Sequence, residues 1–300
     1  MSQIVAFYYS QTGQGLDILR SVCRPLADAG HEIVYREIIP EEAFPYPWSA
    51  DAFFDAFPES RQGIGCTTVV SGLSDVPDPA LVIIAWPAWF LSPAIPVHGF
   101  FANEAVRGYL RGKDVVSICG CRNMWIKAQE GVNAYMDSCG ARRRGVIILQ
   151  DRHHNLVSVI TIIRWLIGGR RERRGLFPDA GVSRRDIEGA AVFGGIIAGA
   201  LGEYDNLQSR LLGAGAVRYK PDIAFVEKIG HSIFGIWSEW ILRKGKAGDA
   251  RRAFRLKLFK YYLFTVLFLV SPVGLLAFYA TYPFRIRGIR RERRRLRFDD

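Results

Sequence analysis

The first 150 residues alternate between short apolar runs and stretches with helical spacing. Five runs rich in β-branched and aromatic residues predict strands, at positions 3–9, 31–39, 81–86, 114–119 and 145–150. The run LVIIAW at 81–86 contains no polar residue, as expected for a strand that is covered on both faces. Because strands that alternate with helices form parallel sheets, we expect an α/β fold, a doubly wound five-stranded parallel sheet in the order 2-1-3-4-5.

Three further stretches of the chain have a recognisable character. Residues 40–60 are rich in proline and aromatic residues and follow no clear period, which predicts an ordered insertion packed over something apolar. Residues 156–167 form an apolar helical pattern that only Arg164 interrupts. A further helix is predicted to begin after Ser183 and to run to Leu201.

Near the C-terminus, 24 residues between Lys260 and Arg285 carry no charge. A straight helix of this length would be about 36 Å long, enough to cross a hydrocarbon core of about 30 Å. Tyrosines lie at both ends, where interfacial aromatic residues are found in membrane proteins. A buried core helix is the alternative. The sequence predicts a membrane segment.

The topology of this segment stays open between a span and a re-entrant hairpin. Both flanks are strongly basic, which favours the cytoplasmic side for both. The Ser-Pro-Val-Gly sequence at 271–274 lies at the centre and could break the helix into a hairpin. A lipid-exposed break would leave backbone groups unpaired, which favours a kinked span or cover by other protein. We expect the protein at the cytoplasmic face of the inner membrane.

The net charge of +11 belongs to the last fifth of the chain. Residues 243–300 carry 16 Lys/Arg and 4 Asp/Glu, whereas residues 1–242 carry 24 and 25. Because the basic residues flank the apolar segment and no stacking motif accompanies them, they favour anionic lipid and argue against a nucleic-acid partner. Five cysteines without framework spacing predict reduced thiols, and Cys119-x-Cys121 is too little for a metal site, so no metal is predicted.

Three loops are predicted to meet at the carboxyl edge of the sheet, where open α/β sheets bind ligands. The first loop follows strand one and combines hydroxyls, a glycine and free amide groups at a helix N-terminus, in Ser10, Gln11, Thr12, Gly13 and Gln14. This composition predicts an anion cradle. The loop lacks the lysine of a P-loop and the spacing of GxGxxG, so a single phosphomonoester is favoured over a nucleoside triphosphate or a dinucleotide. A plain turn is the alternative.

The other two loops follow strands three and four. The second is stiffened by prolines and carries aromatic rings that could flank a planar ligand, in Pro87, Ala88, Trp89 and Phe90. The third offers a glycine for close backbone approach and a cation that could stabilise negative charge, in Gly120, Cys121, Arg122 and Asn123. Inward packing of the aromatics and a surface role for Arg122 are the alternatives. Together the three loops predict an FMN site.

On these loops the chain resembles the flavodoxin-like superfamily. YYSQTGQ is similar to its phosphate loop, and WPAWFLSPA to the P-x-[YW]-W-x-x-P-A loop of its quinone-reductase branch. Gly15 departs from the pattern, because many flavodoxins place a further Thr or Asn there. Over nearly the whole chain, WFLSPAIPVHGF, CRNMW, GLFPDAGVS and EKIGHSIFGIW also resemble the bacterial dialkylresorcinol condensing enzymes of aryl-lipid biosynthesis.

The resemblance implies a flavodoxin-like fold, FMN and a redox step, since the fold offers no thiolase-style nucleophile. The implied reaction is aromatisation of a 2,5-dialkylcyclohexane-1,3-dione to a dialkylresorcinol, in which FMN takes a hydride at N5 and a base removes a proton. Candidate bases are His98, His153 and His154, with Arg122 as a charge-stabilising group; a core or surface role is the alternative for each histidine. A lipidic ring substrate and a ketosynthase with its acyl carrier protein are the implied partners.

We divide the chain into an FMN-binding domain (1–203), a helical basic linker (204–258), the membrane segment (259–284) and a basic tail (285–300). Two other functions stay open. A membrane-associated NAD(P)H:quinone reductase would use the same cofactor with electrons flowing in the opposite direction. A cofactor-free membrane scaffold or partner-binding protein would keep the fold without the flavin, which the departure at Gly15 allows.

Overall fold

A computed structural model of the protein describes residues 1–295. Its main sheet contains five long parallel strands in the predicted order 2-1-3-4-5, which is the flavodoxin-like arrangement. The prediction of the fold class is thus confirmed for the sheet. The strands of the whole chain are β1 (Gln3–Tyr8), β2 (Glu32–Glu37), β3 (Ile39–Pro40), β4 (Thr68–Val69), β5 (Leu81–Trp89), β6 (Ser92–Pro93), β7 (Asp114–Cys121) and β8 (Arg142–Gln150).

The helices follow the strands in alternation as far as β8 and then form an extension. They are α1 (Gln14–Asp28), α2 (Ala50–Asp55), α3 (Phe57–Gln62), α4 (Ile95–Ala102), α5 (Glu104–Leu110), α6 (Ile126–Ser138), α7 (Asn155–Gly168), α8 (Arg184–Gly189), α9 (Ala191–Ala198), α10 (Leu207–Gly213), α11 (Pro221–Leu242), α12 (Ala253–Thr265), α13 (Ser271–Ala280) and α14 (Tyr282–Arg295). A π-helical turn, Val266–Val270, joins α12 to α13.

Two apolar layers cover the main sheet, one on each face. On β1, Ile4 and Ala6 pack under α1 and α9, whereas Val5 and Phe7 pack under α4, α5 and α6. Successive residues of a strand point to opposite faces, so a strand that is buried on both sides must be apolar at every position. This is why the strands could be recognised as continuous apolar runs.

β5 continues past the predicted end at residue 86 and turns back on itself. Trp89 pairs with Ser92 in a short antiparallel hairpin with β6. The two connecting residues, Phe90 and Leu91, both have left-handed backbone angles, with φ of 48° and 64°. Tight two-residue hairpin turns demand this conformation, which a bulky residue adopts only under strain.

The insertion at residues 40–62 joins the sheet domain to the C-terminal helices. The Phe57 ring of α3 stacks on the Phe259 ring of α12, with centroids 3.8 Å apart and planes 5° from parallel. Fully buried Arg252 forms a two-pronged ion pair with Glu59, at 2.6 and 2.8 Å, and a third contact with Asp55 at 2.8 Å. The insertion therefore packs on the helices that lead into the apolar segment.

The apolar segment is helical and bent. Among residues 1–295, no single helix combines the length and the apolar composition needed to cross a bilayer. Two consecutive stretches, 250–270 and 272–280, satisfy both conditions only when taken together, and they meet at 45°. The predicted basic tail forms α14 as far as Arg295, and residues 296–300 of that prediction lie outside the described residues.

Candidate functional site

The three predicted loops meet at one cleft of about 130 Å³ beyond the carboxyl ends of β1, β5 and β7. The predicted residues that line it are Ser10, Gln11, Thr12, Gln14, Pro87, Ala88, Trp89, Gly120, Cys121 and Arg122. Gly13, Phe90 and Asn123 belong to the same loops but do not line the cleft. The sheet topology thus brings together residues that are more than 100 positions apart in the sequence.

The first loop leads directly into the N-terminus of α1. Gly13 has a φ of 83° and precedes the helix, and no side chain caps the first turn. Ser10 Oγ accepts a hydrogen bond from the Leu16 amide at 3.2 Å, which folds the loop back over the helix. A Cβ atom on Gly15 would lie 3.2 Å from Ser10 Oγ. The residue that departs from the flavodoxin pattern is therefore the one that leaves room for this bond.

Two polar side chains of this loop are engaged with the segments that cover the cleft. Gln11 donates to the Pro45 carbonyl at 2.9 Å and accepts from the indole N–H of Trp48 at 3.0 Å. Gln14 donates to the Val182 carbonyl at 3.1 Å and accepts from the Val182 amide at 3.0 Å. These bonds engage both glutamine side chains with the segments that cover the cleft. An anion in the cradle would therefore bind the backbone amides and the hydroxyl of Thr12.

The second loop contributes a single aromatic wall to the cleft. Trp89 lines it and meets Tyr9 and Trp48 edge to face, with ring centroids 5.9 and 5.4 Å away. Phe90 turns in the opposite direction and packs on Phe53 and Phe57, at 4.9 and 5.3 Å. The prediction that Phe90 flanks a ligand is not supported by this geometry, because the hairpin turn sends it into the aromatic cluster behind the cleft.

The third loop supplies a close backbone approach and a partly buried cation. A Cβ atom on Gly120 would lie 2.7 Å from the Ile18 side chain, so glycine is required there. Arg122 Nη1 donates to the side-chain oxygen of Asn155 at 2.5 Å, and Asn123 Nδ2 donates to the same oxygen at 2.7 Å. Burial lowers the pKa of Arg122 to about 10, which is partly opposed by the nearby Asp151 carboxylate, so the guanidinium stays charged at neutral pH.

Helix α7 forms the roof of the cleft, which the sequence did not reveal. Ile162, Trp165 and Leu166 face the cleft from above. Gly181 packs so closely that a Cβ atom there would lie 2.7 Å from both Trp165 and Gln14. Pockets for cofactor-sized ligands usually measure at least about 300 Å³, so the cleft encloses only part of a ligand of that size. The apolar pattern at 156–167 was the available signal, but it is equally typical of a core helix.

Of the three candidate bases, His153 lies next to the cleft and is paired with a carboxylate. Its Nδ1 atom is 2.7 Å from the Oδ1 atom of fully buried Asp151, whose amide donates to the Cys121 carbonyl of the third loop. His154 is exposed at the position that precedes α7. Among residues 1–295, the other carboxylate oxygen of Asp151 is buried without a hydrogen-bond partner, as is the amide oxygen of Asn123.

The third candidate base, His98, does not line the cleft. It is buried in α4, where its Nδ1 atom is 2.8 Å from the Tyr135 hydroxyl and its Nε2 atom is 3.0 Å from the Ser60 carbonyl. Burial lowers the pKa of His98 to about 4, so the ring is neutral at physiological pH. These contacts tie α3 and α6 to α4 and fit a core role.

A buried glutamate that the sequence did not single out lies behind the third loop. Glu227 of α11 accepts a hydrogen bond from the Lys127 amide at 2.7 Å and so caps α6, whose own sequence provides no capping side chain. Its side chain is 1% exposed, and burial raises its pKa to about 7. No local signal could have identified it, because it lies 100 residues away from the helix it caps.

The donor groups of the cleft fit a phosphomonoester joined to a flat apolar ring. The amides at the start of α1 suit an anion, and Trp89 and Trp165 offer apolar faces. The sheet order gives the chain a flavodoxin-like α/β fold. No protein-family model matches the sequence, and no curated protein matches it.

Solved structures of similar fold include three flavodoxin-like proteins. A flavoprotein from Lactobacillus acidophilus NCFM in complex with FMN shares 20% identity, with 49% of this chain and 93% of that chain covered and a TM-score of 0.40. A WrbA-like flavodoxin from Agrobacterium tumefaciens shares 12% identity over 68% and 99%, with a TM-score of 0.40. An azoreductase from Bacillus anthracis str. Sterne shares 13% over 65% and 99%, with a TM-score of 0.35.

Proposed function

We propose that the protein is an FMN-dependent oxidoreductase that aromatises a 2,5-dialkylcyclohexane-1,3-dione at the cytoplasmic face of a membrane. The observation that carries the proposal is the convergence of the three loops on one cleft, with the His153–Asp151 pair beside it. The family resemblance supplies the choice of substrate.

The residues of the cleft have distinct roles in this proposal. The amides of residues 10–13 and the N-terminus of α1 bind the phosphate, with Thr12 as a further donor. Trp89 and the α7 side chains Ile162 and Trp165 enclose the ring and exclude water. Gly120 allows the backbone of the third loop to approach the ring edge. When bound, FMN supplies the acceptor for the hydride that leaves the substrate.

The proton leaves by way of His153. Aromatisation of the dione ring removes one hydride and one proton, so a base must lie beside the substrate. Asp151 accepts a hydrogen bond from His153 Nδ1–H and thereby leaves Nε2 free of a proton, as a general base requires. Arg122, at the mouth of the same loop, stabilises the negative charge that develops on the substrate oxygen.

An alkylated ring is lipidic, which gives the apolar C-terminal segment a purpose. In this proposal the protein takes the dione from the membrane and returns the resorcinol to it. A ketosynthase with its acyl carrier protein would supply the dione.

The test of the cofactor begins with the visible absorbance of the detergent-purified full chain, before and after incubation with FMN. We expect flavin absorbance at one FMN per chain. Trp89→Leu and Phe90→Leu form a matched pair, since the two residues are neighbours but only Trp89 lines the cleft. Trp89→Leu should weaken FMN binding about tenfold, by loss of a ring contact, and Phe90→Leu should bind as the wild type does.

The test of the reaction is anaerobic single turnover of the FMN-loaded protein with a 2,5-dialkylcyclohexane-1,3-dione. Bleaching of the flavin with formation of the resorcinol, identified by mass spectrometry, is the expected outcome. Bleaching by NAD(P)H followed by quinone turnover, with no reaction of the dione, would establish a quinone reductase. Absence of flavin in every preparation would establish a cofactor-free protein.

A further inference from the structure

The bent helix of the apolar segment has one face on which large apolar side chains are exposed. They are 38 to 89% exposed, and they recur every three or four residues at 254–261 and again at 269–276. We name this face the apolar stripe; its residues are Phe254, Leu258, Tyr261, Leu269, Val273, Leu276 and Phe284. It extends from α12 through the π-helical turn and α13 to the start of α14, and exposed Lys257 borders it on α12. An exposed apolar surface of this length marks a binding surface.

The opposite face of the same helix is packed against α11 at both of its ends. At one end, Phe259 lies 5.4 Å from Phe234 and 5.7 Å from Trp237, measured between ring centroids. At the other end, buried Phe278 lies 5.5 Å from Phe225 of α11. The segment and α11 therefore run side by side in opposite directions.

Polar contacts also join the C-terminal end of the apolar segment to the start of α11. The Tyr279 hydroxyl donates to the Asp222 carboxylate at 3.1 Å, and the Arg285 guanidinium lies over the Phe225 ring at 4.3 Å. Asp222 is at the start of α11, so both the first and the last turns of that helix are joined to the apolar segment.

α11 is in turn held on α3 and α6 by polar contacts. The Arg61 guanidinium donates twice to the His231 carbonyl, at 3.0 and 2.7 Å, and Glu227 caps α6. Movement of the segment across a bilayer would break the contacts at one end, or would draw α11 with Asp222 and Glu227 into hydrocarbon. A charged side chain at the bilayer centre costs at least about 2.5 kcal/mol.

The charge around the stripe is of one sign. Between residues 253 and 291 the sequence contains seven Lys/Arg and no Asp or Glu. These cations lie before and after the uncharged stretch, on α12 and on α14. A helix with an apolar face flanked by basic residues is suited to the boundary between headgroups and acyl chains of an anionic bilayer.

We propose that the apolar stripe inserts into one leaflet of an anionic bilayer, so that the segment lies in the plane of the membrane and does not cross it. Both ends of the segment and the whole sheet domain then remain on the same side. The proposal rests on the membrane attachment proposed above and is independent of the flavin chemistry.

The first test measures binding of the full chain to vesicles by flotation. We expect strong binding to vesicles rich in phosphatidylglycerol and weaker binding to pure phosphatidylcholine, with the difference reduced by salt. Val273→Glu on the stripe and Val192→Glu on α9 form a matched pair, since these valines are 63% and 53% exposed. Val273→Glu should weaken binding at least about tenfold, by loss of apolar insertion, and Val192→Glu should not.

Two controls keep this result decisive. Val273→Glu should retain the wild-type circular dichroism and FMN uptake, which separates a failure of membrane binding from a failure of the flavin site. If that variant does not fold, Arg287→Gln, on the exposed basic helix, should still lower binding to anionic vesicles. Equal binding of wild type and stripe variants, or no binding to any vesicle, would overturn the proposal.

The second test determines the topology in sealed inside-out membrane vesicles from expressing cells. Ala247→Cys and Gly288→Cys place a thiol on an exposed residue before and after the stripe, outside the side chains that insert, and the wild type gives the background from its own cysteines. A membrane-impermeant maleimide should label both positions without detergent. Protection of one position until detergent is added would show a crossing segment. A fluorophore attached to the Val273→Cys variant reports the depth of the segment. Quenching of this fluorophore only by nitroxides deep in the acyl chains would show a re-entrant hairpin.

Discussion

The Nδ1 atom of His153 lies 2.7 Å from the buried carboxylate of Asp151, immediately after the last strand of the sheet. The pair is placed beside the cleft because the amide of Asp151 continues the pairing of β8 with β7, through the Cys121 carbonyl. A base that is held by a buried acid has a fixed tautomer and orientation. This arrangement distinguishes His153 from the neighbouring, exposed His154.

Replacement of His153 should therefore remove catalysis without removing the cofactor. We expect His153→Gln to slow single-turnover bleaching of the FMN-loaded protein by about 10² to 10⁴-fold, the usual contribution of a positioned base. FMN affinity should stay within about twofold, since His153 is not among the residues assigned to hold FMN. His154→Gln is the control and should react at the wild-type rate. Equal losses in both variants would remove His153 from the reaction.

Gly15 should prove necessary for tight phosphate binding. Its replacement by alanine brings a methyl group to 3.2 Å from Ser10 Oγ and displaces the hydroxyl from the Leu16 amide. This bond holds the loop in the conformation that would bind the phosphate and contributes about 1 kcal/mol, so its loss should lower FMN affinity by up to about fivefold. Gly195→Ala in α9 is the matched control, because a Cβ atom there meets nothing within 4 Å. Isothermal titration with FMN measures both, and tighter binding by Gly15→Ala would contradict the packing described.

The stability of the protein should decrease as the pH rises from about 4.5 to about 7, in part because of Glu227. Burial raises the pKa of this carboxyl from 4.5 to about 7 in the folded state, so the folded chain holds a proton that the unfolded chain has lost. The stabilisation is present below the unfolded pKa and is lost as the pH rises through the folded pKa. At roughly 1.4 kcal/mol per unit, the loss is on the order of 3 kcal/mol.

Urea unfolding across this pH range measures the effect. Glu227→Gln should flatten the dependence of the free energy of unfolding on pH relative to wild type. Glu203→Gln, at an exposed position that is not among the groups acting on Glu227, should leave the dependence unchanged. Parallel curves for wild type and Glu227→Gln would show that the carboxyl stays ionised throughout.

Arg252 and Arg251 are adjacent arginines with opposite environments. Arg252 is fully buried between Glu59 and Asp55, whereas the Arg251 side chain is 76% exposed. Removal of one partner leaves a buried charge uncompensated, so Arg252→Ala should lower the free energy of unfolding by about 3 kcal/mol or more. Arg251→Ala should leave the urea midpoint nearly unchanged. Similar midpoints for the two variants would argue against a buried ionic cluster.

The sheet could be predicted from the sequence because the burial of a strand on both faces appears as a continuous apolar run within a few neighbouring residues. Residues 81–86 are apolar at every position, and only a strand covered on both faces requires that pattern. The loops could be predicted because they must follow the strands. Their positions at the cleft then follow from the topology.

What could not be predicted depends on contacts between distant parts of the chain. Trp165 and Ile162 of α7 have the composition of core residues, and only the fold shows that they cover a cleft. Gln11 and Gln14 have the chemistry of anion ligands, but their side chains are bound to the segments at 45–48 and 182. Phe90 differs from Trp89 only in the direction that the strained hairpin turn imposes on it.

The insertion at 40–62 contacts the cleft at one end and the helix of the apolar stripe at the other. Trp48 donates to Gln11 at the cleft, and nine residues later Phe57 stacks on Phe259. An alkyl chain that enters water exposes each methylene at a cost of about 0.8 kcal/mol. A ring substrate that moved along this segment could keep its tails against aromatic side chains throughout. Transfer from leaflet to cleft would then avoid most of that hydration cost.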